Sequence, residues 1–191
     1  MDVILPAGIN GLAGESQFPN IGRADAQNFG GLSAQSVAEL EARAAKGDVE
    51  AQVALGDYYF EGEKVDFAKA AEQNNPRGQY GVAYCYFLGA GLKPNLDEAL
   101  VWFRRSAEQG NAQAQSYLGF MYMRGVGVAR DYAIAVQYLM PAAKAGDAEA
   151  QYSLALCYFN GVGVERSDEE AMKWVTKAAE QGHAEAMKIA E

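Results

Sequence analysis

The segment AQSYLGFMYMRGVG, residues 114–127, contains the pattern that decides the fold. Its first alanine, the leucine, the next glycine and the second tyrosine stand at offsets 0, 4, 5 and 8, on one face of a 3.6-residue helix. The glycine at offset 11 predicts a helix end, because glycine readily adopts the left-handed backbone common at helix C-termini. The pattern begins at positions 51, 78, 114 and 150, which are 27, 36 and 36 residues apart. The chain is therefore built of repeats.

A second set of markers keeps the 36-residue step and predicts a second helix in each repeat. Aromatic residues recur at positions 102, 138 and 174, and glycines recur at 110, 146 and 182. The predicted second helices begin at residues whose side chains can accept hydrogen bonds from first-turn N–H groups. These residues are Asp66, Asn95, Asp131 and Ser167. Stacked helical hairpins of this kind form an all-α solenoid, in which each repeat packs against its neighbours.

The repeated string, continued by KAAEQG at residues 177–182, resembles the Sel1-like repeat, a relative of the tetratricopeptide repeat, over roughly residues 34–191. The resemblance implies a right-handed α/α solenoid of antiparallel helix pairs, a Sel1-like superhelix. It also implies a scaffold or adaptor for other proteins with no catalytic site of its own. The partner stays unidentified, because function depends on surface residues rather than on the fold.

The chain divides into a glycine-rich arm, residues 1–32, and a repeat domain, residues 33–191. The arm shows no helical period and is predicted to be flexible. The repeat domain is predicted to comprise a capping helix at 34–46, repeats starting near 47, 74, 110 and 146, and a truncated last helix at 183–191. The first repeat is short, mostly after Asp66, which predicts a shortened second helix and a notch. Pro141 predicts a local kink in a later second helix.

Composition excludes several classes of function. The chain carries 25 acidic and 16 basic residues, a net charge of −9, which disfavours nucleic acid and anionic membranes as partners. We find neither a stretch long enough for membrane insertion nor a signal peptide, so we expect a cytoplasmic protein, with specialised secretion left open. One histidine and two cysteines are too few for a zinc site or most nucleophilic triads. We therefore expect no catalytic, metal-binding or cofactor-binding residues and no enzymatic activity.

Residues that often carry chemistry have structural interpretations here. Cys85 and Cys157 share one offset of two different repeats, so we expect buried free thiols too far apart to form a disulfide. His183 precedes the last helix and is expected to cap it or to face solvent. The Gly-x-Gly pairs after the first helices recur with the repeat and predict turns rather than phosphate loops.

The apolar residues of the first helices form the candidate functional surface. Offsets 2, 6 and 9 lie near one another on a helix, and analogy with the tetratricopeptide fold places the first helices on the concave side. An exposed apolar strip there should be covered, so we predict a groove that binds an apolar peptide or helix of another protein. The predicted groove residues are Phe60, Tyr80, Tyr84, Phe87, Leu88, Phe120, Met123, Tyr152, Leu156 and Phe159.

Two other functions fit the same fold. One is an immunity protein or inhibitor of a secreted bacterial toxin, and the other is a chaperone or cargo of a specialised secretion system. An adaptor should retain several proteins from a lysate, whereas an inhibitor should retain one tightly bound ligand.

The arm is a competing occupant of the groove, because it contains apolar residues such as Phe18, Ile21 and Phe29. It would fold back within the chain or self-associate across a dimer. If it does, deleting residues 1–32 will uncover the groove and increase the fluorescence of a bound hydrophobic dye. Unchanged dye binding would count against this interpretation.

Overall fold

A computed structural model describes the chain at residues 34–60, 67–89 and 93–190, and within these ranges every regular element is an α-helix. The predicted all-α fold is confirmed, whereas the predicted arm lies outside the described residues. The helices are α1 (Ala34–Ala44), α2 (Val49–Phe60), α3 (Phe67–Glu72), α4 (Pro76–Leu88), α5 (Leu96–Glu108), α6 (Ala112–Arg124), α7 (Tyr132–Lys144), α8 (Ala148–Asn160), α9 (Asp168–Glu180) and α10 (Ala184–Ala190).

The described residues belong to two compact units, which meet in sequence between Gln115 and Ser116, inside α6. In the first unit α1 packs on α2, α2 on α3 and α4, and α4 on α3 and α5. In the second unit α8 packs on α7 and α9, and α9 packs on α10. Each unit is thus a series of helical hairpins: α2, α4, α6, α8 and α10 are the first helices of the repeats, and α3, α5, α7 and α9 are the second helices.

Side-chain caps begin both kinds of helix. The predicted caps of the second helices are confirmed at Asn95, Asp131 and Ser167, each of which accepts a first-turn backbone N–H. Asp66 lies outside the described residues. The first helices carry a further set of caps, in which a side chain accepts the N–H three residues on, at 3.1, 3.0, 2.8, 2.7 and 3.2 Å. These caps are Asp48, Asn75, Asn111, Asp147 and His183.

The second helix of the first repeat is short, with 6 residues in α3 where α5, α7 and α9 each have 13. Two glycines of α4 face it. A Cβ on Gly78 would lie 2.6 Å from the Cβ of Ala70, and a Cβ on Gly81 would overlap the ring of Phe67. The glycines let the short helix approach closely, and Phe67 is buried. The predicted shortening is therefore accompanied by tight packing.

The predicted glycine turns are present in the structure, and the helix that contains Pro141 is continuous. Gly125, Gly127, Gly161 and Gly163 all have positive φ, between 62° and 73°, which confirms that these Gly-x-Gly pairs form turns. A Cβ on Gly163 would collide with the backbone of Tyr132, so this turn packs directly against the start of α7. Helix α7 continues past Pro141 to Lys144. The kink there stays a prediction.

The recurring aromatic residues of the second helices pack in the hairpins. Trp102 packs against the cluster that contains Phe67 and Cys85. The ring of Tyr138 stacks on Tyr122 with centroids 6.0 Å apart, and Trp174 is buried. Trp102 and Tyr138 are half-buried in these contacts, whereas Trp174 belongs to the core of its unit.

Glutamines at offset 1 of the first helices connect them to second helices. The side-chain Nε2 of Gln52, Gln115 and Gln151 donates to a carbonyl near the end of the preceding helix, at 3.0, 3.2 and 3.0 Å. The carbonyls belong to Ala44, Ala107 and Ala143. The Oε1 atoms of Gln52, Gln79 and Gln151 accept from a glutamine after the following second helix, at 2.6, 2.7 and 2.7 Å. These donors are Gln73, Gln109 and Gln181.

Replacing Gln151 with methionine should destabilise the protein by about 2 kcal/mol, because it leaves the carbonyl of Ala143 and the amide of Gln181 without this partner. Steric strain should be small, since the side chains of methionine and glutamine are similar in length and volume. Urea unfolding followed by circular dichroism measures the change. The control is Gln181→Met, whose exposed amide is easily replaced by water, with an expected loss below about 1 kcal/mol. Equal losses would contradict the role given to Gln151.

Candidate interaction surface

The first unit presents aromatic side chains on α4. Tyr80 and Tyr84 are half-buried, and their rings stack with centroids 6.0 Å apart and an interplanar angle of 18°. The ring of Tyr80 also lies 6.0 Å from that of Phe103 on α5. Leu88, one turn beyond Tyr84, is 40% exposed. These three predicted groove residues, Tyr80, Tyr84 and Leu88, are accessible and form what we call the α4 surface.

Phe87 has a different position from its neighbours. It is only 8% exposed, and its ring meets that of Phe103 edge-on at 6.2 Å. Its side chain therefore fills the core of the hairpin and has little surface for a partner. The other first-unit residue in the predicted groove, Phe60, ends α2, but its side chain is outside the described residues.

The second unit presents a comparable surface on two first helices. Phe120 and Met123 of α6 and Tyr152 and Phe159 of α8 are all half-buried, and we call these four residues the α6–α8 surface. The two helices are neighbours: burial raises the pKa of Asp147, the cap of α8, and a hydrogen bond from Ser116 of α6 is among the interactions that oppose this rise. Leu156 was also predicted in the groove, but at 7% exposed it is a core residue.

Tyr152 is fixed by contacts with the last helix. Its ring stacks on His183 with centroids 4.5 Å apart, and Nε2 of His183 lies 3.2 Å from Oε1 of Glu149. Burial raises the pKa of Tyr152, and the negative charges of Glu185 and Glu149 raise it further, while Arg124 opposes them. The charged groups around the Tyr152 side chain therefore come from three first helices. They are Arg124 on α6, Glu149 on α8 and Glu185 on α10.

His183 caps α10, which confirms one of the two expectations for it. Its Nδ1 accepts the N–H of Ala186 at 3.2 Å, and the side chain is only 10% exposed. Sequence reasoning missed Glu149 as its partner and missed the caps of the other first helices. The caps were detectable, because positions 111, 147 and 183 follow the same 36-residue step as the aromatic residues.

The cysteines are buried free thiols, as predicted. Burial raises the pKa of Cys85 to about 11 and that of Cys157 to about 12. A cysteine acts as a nucleophile or metal ligand through its thiolate, which these pKa values disfavour at neutral pH. In the described ranges, no three or more histidine, cysteine, aspartate or glutamate side chains are grouped so that they could hold a metal ion.

Four consecutive segments match the Sel1 repeat family, at residues 49–72, 76–111, 112–147 and 148–183. This protein belongs to the Sel1 repeat family. Sel1 repeat proteins are helical solenoid proteins that generally serve as protein-interaction scaffolds without catalytic activity, and they bind other proteins. Among the described helices, none combines the length and the apolar character needed to cross a membrane.

Solved structures show the same fold. A Sel1 repeat protein from Oxalobacter formigenes is 35% identical, with a TM-score of 0.74, over 81% of this chain and 66% of its own. A protective antigen of uropathogenic Escherichia coli with a Sel1-like repeat fold is 34% identical, with a TM-score of 0.72. That match covers 78% of this chain but 34% of the antigen, so this Sel1 protein spans about a third of that relative.

A more distant structure shows the fold alone. The cysteine-rich protein B of Helicobacter pylori is 21% identical, with a TM-score of 0.51, over 84% of this chain and 99% of its own. A search of curated proteins found no match to the sequence.

The native thiols should be almost unreactive. At about pH 8 we expect labelling by a thiol reagent to be at least about 100-fold slower in buffer than in concentrated urea, because burial keeps both thiols protonated and inaccessible. The raised pKa values of the two thiols also predict that the free energy of unfolding falls above about pH 9. Above that pH the unfolded thiols lose protons that the folded thiols retain. Rapid labelling of either cysteine in buffer, followed by absorbance, would contradict the burial of that thiol.

Proposed function

We propose that this Sel1 repeat protein is a non-enzymatic scaffold that binds an apolar peptide or helix of another protein through its first helices. The observation that carries the proposal is the set of half-buried aromatic and methionine side chains on α4, α6 and α8. Each keeps part of its surface accessible while the rest is packed against its own unit. Such side chains supply apolar contact area to a partner.

Prior ordering of the rings supports binding. Tyr80 is held between Tyr84 and Phe103, and Tyr152 is held by His183. A ring that is already fixed loses little conformational freedom when a partner binds, so more of the contact energy contributes to affinity. Tyrosine side chains combine an apolar ring with a polar end, which suits an amphipathic partner.

The proposed binding residues are fewer than the ten predicted from sequence. They are Tyr80, Tyr84 and Leu88 on the α4 surface, and Phe120, Met123, Tyr152 and Phe159 on the α6–α8 surface. Each surface is proposed as a separate docking site within its own unit. Phe87 and Leu156 support these surfaces from the core.

The first test uses a pair of variants at equally exposed positions. Leu88 on first helix α4 is 40% exposed and Val101 on second helix α5 is 41% exposed, so Leu88→Asp and Val101→Asp introduce the same charge at equally accessible sites. Each variant is used to capture proteins from native lysate, with mass spectrometry as the readout. We expect a specifically captured protein to be depleted at least about tenfold by Leu88→Asp and to be retained by Val101→Asp.

A second pair tests the other unit. Met123→Asp changes the α6–α8 surface, and Met172→Asp changes an exposed methionine of second helix α9. Circular dichroism must show that all four variants fold. If neither first-helix variant loses a protein that its second-helix control retains, binding through the first helices is contradicted.

A further inference from the structure

The carboxylates of Glu149 and Glu185 lie at one end of the α6–α8 surface. Glu149 is one turn before Tyr152 on α8, and its Oε1 lies 3.2 Å from Nε2 of His183, whose ring stacks on Tyr152. Glu185 is two residues after His183, in the first turn of α10. The side chains of Glu149 and Glu185 are 34% and 47% exposed, so a group of a bound partner can reach both carboxylates.

The phenol of Tyr152 shows which sign of charge prevails at this end of the surface. Burial raises its pKa, Glu185 and Glu149 raise it further, and the cation of Arg124, which acts less strongly, lowers it. The electrostatic potential at the phenol is therefore negative. A second cation lies beyond Glu185, because Nζ of Lys188 is 2.7 Å from Oε1 of that residue. The net charge of −9 on the whole chain adds a field of the same negative sign.

The apolar part of the same surface has the spacing of a helix face. Tyr152 and Phe159 are two turns apart on α8, which is about 10 Å along the helix axis. Phe120 and Met123 are one turn apart on α6. An amphipathic helix presents its apolar residues at the same intervals of one and two turns. A helix lying along α8 can therefore place successive apolar side chains on these four residues.

We propose that the α6–α8 surface binds a basic amphipathic helix of another protein. The apolar face of this helix lies on the aromatic and methionine side chains, and its lysine or arginine side chains reach Glu149 and Glu185 beside Tyr152. Opposite charges across an interface speed association and exclude partners of the wrong sign. An acidic helix with the same apolar residues is thus repelled. The inference rests on the proposed function, because it names the chemical class of partner for one of the two surfaces.

The probes are two fluorescently labelled synthetic peptides of about 18 residues, or five helical turns, with leucine at identical positions on one face. The polar positions are lysine in one peptide and glutamate in the other. Binding to the full chain is measured by fluorescence anisotropy. We expect the Kd of the lysine peptide to be at least about tenfold lower than that of the glutamate peptide, and the ratio to shrink as salt is added.

Two double variants locate the charges that select the lysine peptide. Glu149→Gln/Glu185→Gln removes the two carboxylates of the surface, and the control Glu169→Gln/Glu180→Gln removes two exposed carboxylates of second helix α9. Both change the net charge equally, and each contains one glutamate that is paired with a lysine of its own helix. We expect the first variant to weaken binding of the lysine peptide at least about fivefold and the control to weaken it less than about twofold. Circular dichroism must show that both fold.

An uncharged pair of variants separates this inference from the proposed function. Met123→Ser removes apolar area from the α6–α8 surface, and Met172→Ser removes it from exposed α9. If both peptides bind equally and only Met123→Ser weakens them, docking stands and the preference for a basic partner is wrong. If Met123→Ser leaves binding of the lysine peptide unchanged, docking on this surface is contradicted as well. Equal weakening by the two glutamate double variants, or no binding of the lysine peptide, would overturn the inference alone.

Discussion

A buried amide that donates on one side and accepts on the other links neighbouring helices within each unit. The last carbonyls of a helix have no partner inside that helix, and burying them without one is costly. Gln52 and Gln151 supply the missing donor to the helix before them and accept from a glutamine after the helix that follows. A glutamine side chain suits this position because it carries both a donor and an acceptor. Hydrogen bonds as well as apolar packing therefore specify which helices lie next to one another in each unit.

Close packing depends on small residues at the positions where helices cross. Gly81 receives the ring of Phe67, and a Cβ on Gly119 would overlap the side chain of Leu139. In the first repeat the second helix, α3, is short, and it lies close to α4 at these glycines. Helix pairs with small residues at the contact can come together without voids, which protein interiors rarely tolerate.

The repeat, the helix types, the second-helix caps and the glycine turns were all predictable from sequence. These features depend on local spacing and on the backbone preferences of individual residues. The accessible surface was only partly predictable. Phe87 and Leu88 are adjacent in sequence and both apolar, yet Phe87 packs on Phe103 while Leu88 is exposed. A first helix contacts several helices, so a single helical period does not specify which apolar positions remain at the surface.

The sequence by itself determined that this chain is a series of Sel1 helical hairpins, because a 36-residue step in small, aromatic and capping residues has one simple structural explanation. Only the tertiary structure decided which side chains are available to a partner and what His183 does. Its ring lies between Ala186, three residues away, and Glu149, thirty-four residues away in the preceding first helix. Such a contact depends on how helices pack in space, and local spacing carries no information about the distance between those two atoms.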